Sequence, residues 1–153
     1  MGIRTALDTV LNEIISSNAW FDSNNASIGD ERVFTYVETD PGSNDKCVMV
    51  EYDGFERAAL PTEFGSSTIT WRIAVNGFFR LNDADYNPVM DDARKFVDDM
   101  ISMVSTATGS PTLDGSSMAT AVVLGGSPPL VYRRANHTYV LVSVSIGMMD
   151  NIS

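Results

Sequence analysis

Between Thr68 and Leu81 the large apolar residues fall at alternate positions: Ile69, Trp71, Ile73 and Val75, then Phe79 and Leu81. Thr70, Arg72, Ala74, Asn76, Phe78 and Arg80 lie between them. A period of two over this length predicts a strand with one face in a core. Asn76-Gly77 is also a hairpin-turn signal, but the alternation resumes at Phe79, so a bulge or bend within one long strand is expected. After Asn82-Asp83-Ala84-Asp85 the period changes. Val89, Ala93, Phe96, Val97, Met100, Ile101 and Val104 recur at steps of three and four, the stripe of an amphipathic helix. Asp91, Asp92, Arg94, Lys95, Asp98, Asp99 and Ser102 fill its other side, where the acids are expected to pair locally with Arg94 and Lys95. Pro88 suits the first turn, and Asp85 or Asn87 is the expected cap. Such a stripe must lie on a sheet, and the preceding strand offers one.

The same patterning organises the rest. Ile3–Ser16 reads as a helix with Ile3, Leu7, Val10, Leu11, Ile14 and Ile15 on one side. A polar, turn-rich stretch comes next, and its Trp20 and Phe21 are expected to tuck back under the helix. Arg32–Glu38 and Lys46–Tyr52 read as strands. Asp53-Gly54 is a two-residue hairpin signal, from which Phe55–Ala59 would return. The segment 53–66 is then a long excursion outside the core. Residues 107–117 read as a Gly/Ser/Pro linker. Met118–Leu124, Leu130–Arg134 and Tyr139–Met148 close the chain as strands, with a turn at Ala135-Asn136-His137. The fold class is α+β: a mostly antiparallel sheet flanked by an N-terminal helix and a second long amphipathic helix, in a single domain spanning residues 1–153.

Charge narrows the partners. Twenty acids against ten lysines and arginines leave −10, which repels phosphate backbones and argues against direct nucleic-acid binding. An acidic surface also suits a protein that meets DNA without holding it. No apolar run approaches a membrane span, and Arg4, Asp8 and Glu13 interrupt any leader-like N-terminus, so neither a membrane nor a secretory route is expected. A lone Cys47 fits a reducing compartment.

Candidate chemistry is sparse. The single imidazole, His137, falls in a predicted turn with no partner indicated by spacing, and Cys47 falls within a strand as a small hydrophobe. One Cys and one His cannot supply zinc-ligand spacing. Asp83-x-Asp85-x-Asn87 begins like a calcium loop but has Pro88 where that loop needs Gly and Arg94 where it needs Glu. Gly125-Gly126 lacks a phosphate-loop lysine. No catalytic residue, cofactor or metal is expected, and the chain reads as a structural or interaction protein.

The layout resembles the tail terminator (tail completion) proteins of long-tailed bacteriophages. The resemblance rests on the amphipathic helix Gly2–Ser17, the strand TITWRIAVNGFF, the helix NPVMDDARKFVDDMISMV and the closing strand TYVLVSVSIGM. It is one of architecture, without a diagnostic motif. It implies a non-enzymatic virion protein of the tail or neck, made in the host cytoplasm. Such proteins form a six-membered ring of identical copies that caps the tail tube protein, stops its polymerisation and meets the head–tail connector or neck protein. DNA only passes through the lumen, which acidic side chains would keep from sticking. The implied partner or lumen contacts are Asp40, Asp45, Asp53, Phe55, Glu56, Arg57, Glu63 and Phe64, with Arg133 and Arg134 as basic points able to pair with a neighbour's acids. Another neck or tail-tube protein is the near alternative. A small cytosolic enzyme or ligand-binding domain, with Tyr36, Tyr52 and Trp71 lining a pocket, is the alternative from a different class.

Overall fold

A computed structural model of the chain describes residues 2–18, 20–29, 45–59, 67–81, 86–105, 120–134 and 137–152. The elements are α1 (Ile3–Ser17), β1 (Ala26–Ile28), β2 (Lys46–Ala59), β3 (Ser67–Leu81), α2 (Tyr86–Ser105), β4 (Thr120–Gly126), β5 (Leu130–Arg134) and β6 (His137–Ile152). They form one six-stranded sheet in the order β1-β2-β3-β6-β4, with β5 continuing the β4 edge along β6. All pairings are antiparallel except the short β1–β2 contact. The α+β architecture expected from the periodicities is the one found.

Both helices cover one face of the sheet, α1 over β1 and β2 and α2 over β3, β4 and β6. Ile73, Val75 and Phe79 of β3 point into this core beside Val140, Val142, Val144 and Ile146 of β6. From α2 the core takes Ala93, Phe96, Met100, Met103 and Val104. Ile101, placed in the stripe by its spacing, is exposed, and Met103 takes a core position instead, one turn beyond Met100. The helix begins at Tyr86, so Pro88 lies in its first turn, but Asn87 is inside the helix and is not its cap. Asp85 lies outside the described residues.

Trp20 and Phe21 join the core as expected. Asn18 Oδ1 accepts the Trp20 N–H at 2.8 Å, and Asn25 Nδ2 donates to the Trp20 carbonyl at 2.9 Å. These side-chain bonds to backbone turn the chain after α1 without secondary structure. Phe21 then meets Phe96 edge-on at 5.9 Å, and Phe96 meets Phe79 at 5.8 Å. Edge-to-face pairs of this kind each add about 0.5–1.5 kcal/mol beyond the area they bury. Lys46 and Lys95 both lie over the Trp20 ring, at 4.4 and 5.0 Å.

Several local expectations are corrected. Asn76-Gly77 is neither a turn nor a bulge: Asn76 pairs Met49 and Gly77 pairs Val48 in unbroken register. Residue 77 shares the parity of Val75 and Phe79, and a glycine stands there because the Phe96 ring occupies the place of a side chain. Asp53-Gly54 does not end a hairpin. Tyr52 pairs Ile73 and Phe55 pairs Trp71, so one residue is extra and β2 runs on through a bulge to Ala59. Gly54 supplies its positive φ of 104°. Residues 53–59 therefore belong to the sheet and are no excursion. The patterning gives no sign of β1, His137 is the first residue of β6 and not part of a turn, and β6 extends to Ile152. Asp92 does not pair within its helix but meets Lys46 of β2 at 3.5 Å, while Arg94 does pair locally with Asp91 at 2.8 Å. The expected strand Arg32–Glu38, residues 60–66 of the expected excursion, Met118 and the expected linker 107–117 lie outside the described residues.

Candidate assembly surfaces

The sheet ends in two edges of different character. At the first, β1 pairs only with Val48, Met49 and Val50, and beyond Val50 no described strand takes the outer side of β2. This uncovered half carries Asp53, Phe55, Glu56 and Arg57, all exposed. Phe55 is 54% exposed although its ring leans on Trp71, 5.7 Å between centroids. Trp71 also meets Tyr52 at 6.4 Å, so those two aromatics pack on each other. Glu56 is ion-paired with Arg72 of β3. At the other end of the same edge Asp45 is exposed, and its carbonyl accepts the Arg80 N–H at 2.7 Å.

The second edge is formed by β4 and β5, end to end along β6, with Ser127-Pro128-Pro129 between them. Val122 and Leu124 of β4 are 37% and 46% exposed, and Leu130 and Val131 of β5 are 56% and 61% exposed. Arg133 is exposed opposite Thr138, and the backbone of Arg134 pairs His137. Residues 120–134 hold these two arginines and no acid, in a chain whose balance is −10.

The ten positions singled out by sequence are therefore not one site. Asp53, Phe55, Glu56 and Arg57 come together; Asp45 lies at the far end of their edge; Arg133 and Arg134 lie on the opposite edge. Asp40, Glu63 and Phe64 lie outside the described residues, as does Tyr36. The exposed apolar residues of β4 and β5 escape sequence reasoning. Their signal is a run of valine and leucine interrupted by glycines and prolines and lacking any acid.

On the face away from the helices, a cleft of about 630 Å³ opens between β2, β3, β6 and the end of β4. Its floor holds Asn76, 3% exposed. Asn76 Nδ2 donates to Glu51 Oε1 at 3.2 Å, and the Ser143 hydroxyl donates to Asn76 Oδ1, tying three strands together. Arg72, Asp53 and Ser127 stand at its margin. Among the described residues no three His, Cys, Asp or Glu side chains gather as a metal site would require, and no helix is long and apolar enough to cross a membrane.

No protein-family model matches the chain, and no curated protein matches it in sequence.

Proposed function

We propose that the chain is a structural subunit of a phage tail, a terminator without a catalytic role that assembles as a ring and closes the tail tube beneath the neck. The observation that carries this reading is a sheet that, among the described residues, has two edges no described strand covers, each bearing exposed large apolar side chains. A protein that works alone gains nothing from such edges and risks aggregation through them. A subunit of a closed assembly covers both. Two different patches that meet between identical copies make a head-to-tail contact, and repetition of that contact closes a ring when the rotation allows. The charge of −10 supports a lumen through which DNA slides. In this reading the chain has no cofactor, its partners are its own copies, the tube protein and the connector, and it resides in the virion. Another neck or tail-tube role is the neighbouring reading.

The 630 Å³ cleft supports the rival, a small ligand-binding domain. Light scattering of the purified protein, with negative-stain images of the same fraction, separates the two. The expected result is a mass of six copies and images of rings, either alone or on added tail tubes. Rings seen under neither condition, with a small molecule held in the cleft of a monomer, would establish the rival.

A further inference from the structure

We infer that the cleft on the face away from the helices is a binding site for a small neutral sugar or a similar polyhydroxylated molecule. That face of the sheet is divided. Toward the Leu81 end of β3 its side chains are apolar and buried, Phe78 at 3% exposure and Tyr139 of β6 at 1%. The following rows change character: Asn76, Ala74 and Arg72 of β3 pair with Ser143, Ser145 and Gly147 of β6. A solvent-facing strand surface accepts any polar residue, but Asn76 is not solvent-facing. It is 3% exposed and held between Glu51 and Ser143, although asparagine is disfavoured inside strands and a buried amide is tolerated only when hydrogen-bonded. Departures of this kind from strand chemistry gather at functional sites.

The shape fits a small molecule. The floor spans three strand spacings from β2 to β4, about 14 Å, and the four residues from Arg72 to Asn76, also about 14 Å. Its middle row is low, because Ala74, Ser145 and Gly125 lie side by side there. The 630 Å³ enclosed falls in the range of about 300–1,000 Å³ usual for ligand clefts. The lining then selects the class. The carboxylates of Glu51 and Asp53 only accept hydrogen bonds, the Arg72 guanidinium only donates, and the hydroxyls of Ser127 and Ser145 do both. An ammonium ligand brings donors alone and meets Arg72; a carboxylate or phosphate brings acceptors alone and meets Glu51 and Asp53. A hydroxyl matches either kind of partner by rotating its O–H. Leu124, 46% exposed and lying over Gly147, offers an apolar wall to the C–H face of a sugar ring. The site lies on a face of the sheet and not at its edges, so it does not rest on the terminator reading.

The test titrates the ¹⁵N-labelled protein with glucose, galactose and maltose, each to about 50 mM, and follows the amide signals. Putrescine, which only donates, and glutarate, which only accepts, are titrated alongside. At least one sugar should give saturable shifts confined to residues 51–53, 72–76, 124–127 and 143–145, and neither control should match it. Ser145→Leu raises a branched side chain on the floor and should weaken that binding at least ten-fold. Asp53→Ala, at the exposed margin, should weaken it several-fold without touching the floor, and circular dichroism confirms the fold of both variants. No shift with any sugar, shifts elsewhere on the chain, or tighter binding of putrescine or glutarate would each overturn the site. Rings without sugar binding remove the site and leave the terminator reading standing. Sugar bound by a monomer that forms no rings, alone or on tail tubes, upholds the site and removes that reading.

Discussion

The ring of Phe96 lies against the backbone of Gly77, so that a Cβ at residue 77 would stand 3.1 Å from Phe96 Cε1 and Cζ. Helix α2 therefore seats on the sheet by an aromatic ring over a strand position without a side chain. Gly77→Val should push the ring off and lower stability by about 1–3 kcal/mol, the usual cost of overpacking. The urea midpoint measures this. An unchanged midpoint would mean that α2 shifts freely over β3.

Asn76 joins Glu51 and Ser143 across three strands while 3% exposed. Replacing it by Leu, of similar volume, leaves the Ser143 hydroxyl and the Glu51 carboxylate facing an apolar group. The expected loss is about 1–3 kcal/mol. Ser143→Ala removes one hydrogen bond from the same set and should cost about 1 kcal/mol. Chemical denaturation of both variants checks the order; equal effects would count against a network centred on Asn76.

Phe55 separates stability from assembly. Its side chain is more than half exposed, so Phe55→Ser should change the stability of the monomer by no more than about 1 kcal/mol. The same variant should lose assembled mass in light scattering, because the exposed ring is what the neighbour would cover. Unchanged assembly would detach Phe55 from any interface. Gly54→Ala, by contrast, forces a side chain into a φ of 104° and should cost about 1–3 kcal/mol in the folded chain.

Copies that each carry −10 repel at long range, whereas a pair of opposite charges across an interface acts only at close approach. Raising salt from about 0.01 to about 0.15 M shortens the Debye length from about 30 to about 8 Å. Association should therefore quicken over that range, read as the rate of growth of scattered light after dilution from a dissociated stock. A rate that falls with salt would show local pairs outweighing the net charge.

The sequence carried the architecture where one period ran unbroken. Ile69 to Leu81 hold a single parity, and Val89 to Val104, Ile101 apart, a single stripe, because one face of each element lies on the core. It failed where a glycine has two uses. Gly54 and Gly77 both stand after residues that make hairpin turns, yet one permits a bulge and the other admits a ring from a helix nearly twenty residues further on, a contact that local reading cannot reach. β1 was illegible because three residues show no period. The candidate assembly residues were partly legible: the acids of β2 and the arginines of β5 stand out by charge. That they occupy opposite edges depends on strand order, which no spacing encodes. The exposed Leu130 and Val131 look in sequence like any buried strand.

The bulge at Asp53-Gly54 also sets how β2 can change length. Before it, the even-numbered residues Val48, Val50 and Tyr52 face the helices; after it, the odd-numbered Phe55 and Arg57 share rows with Trp71 and Ile69 on that same side. The strand has absorbed one inserted residue without inverting the faces of its second half. Deleting Gly54 would leave a regular ladder with Phe55 still opposite Trp71. Deleting a residue between Lys46 and Tyr52 would instead misalign Val48 and Val50 with the core. Within this strand, tolerance to insertion and deletion is confined to a single joint.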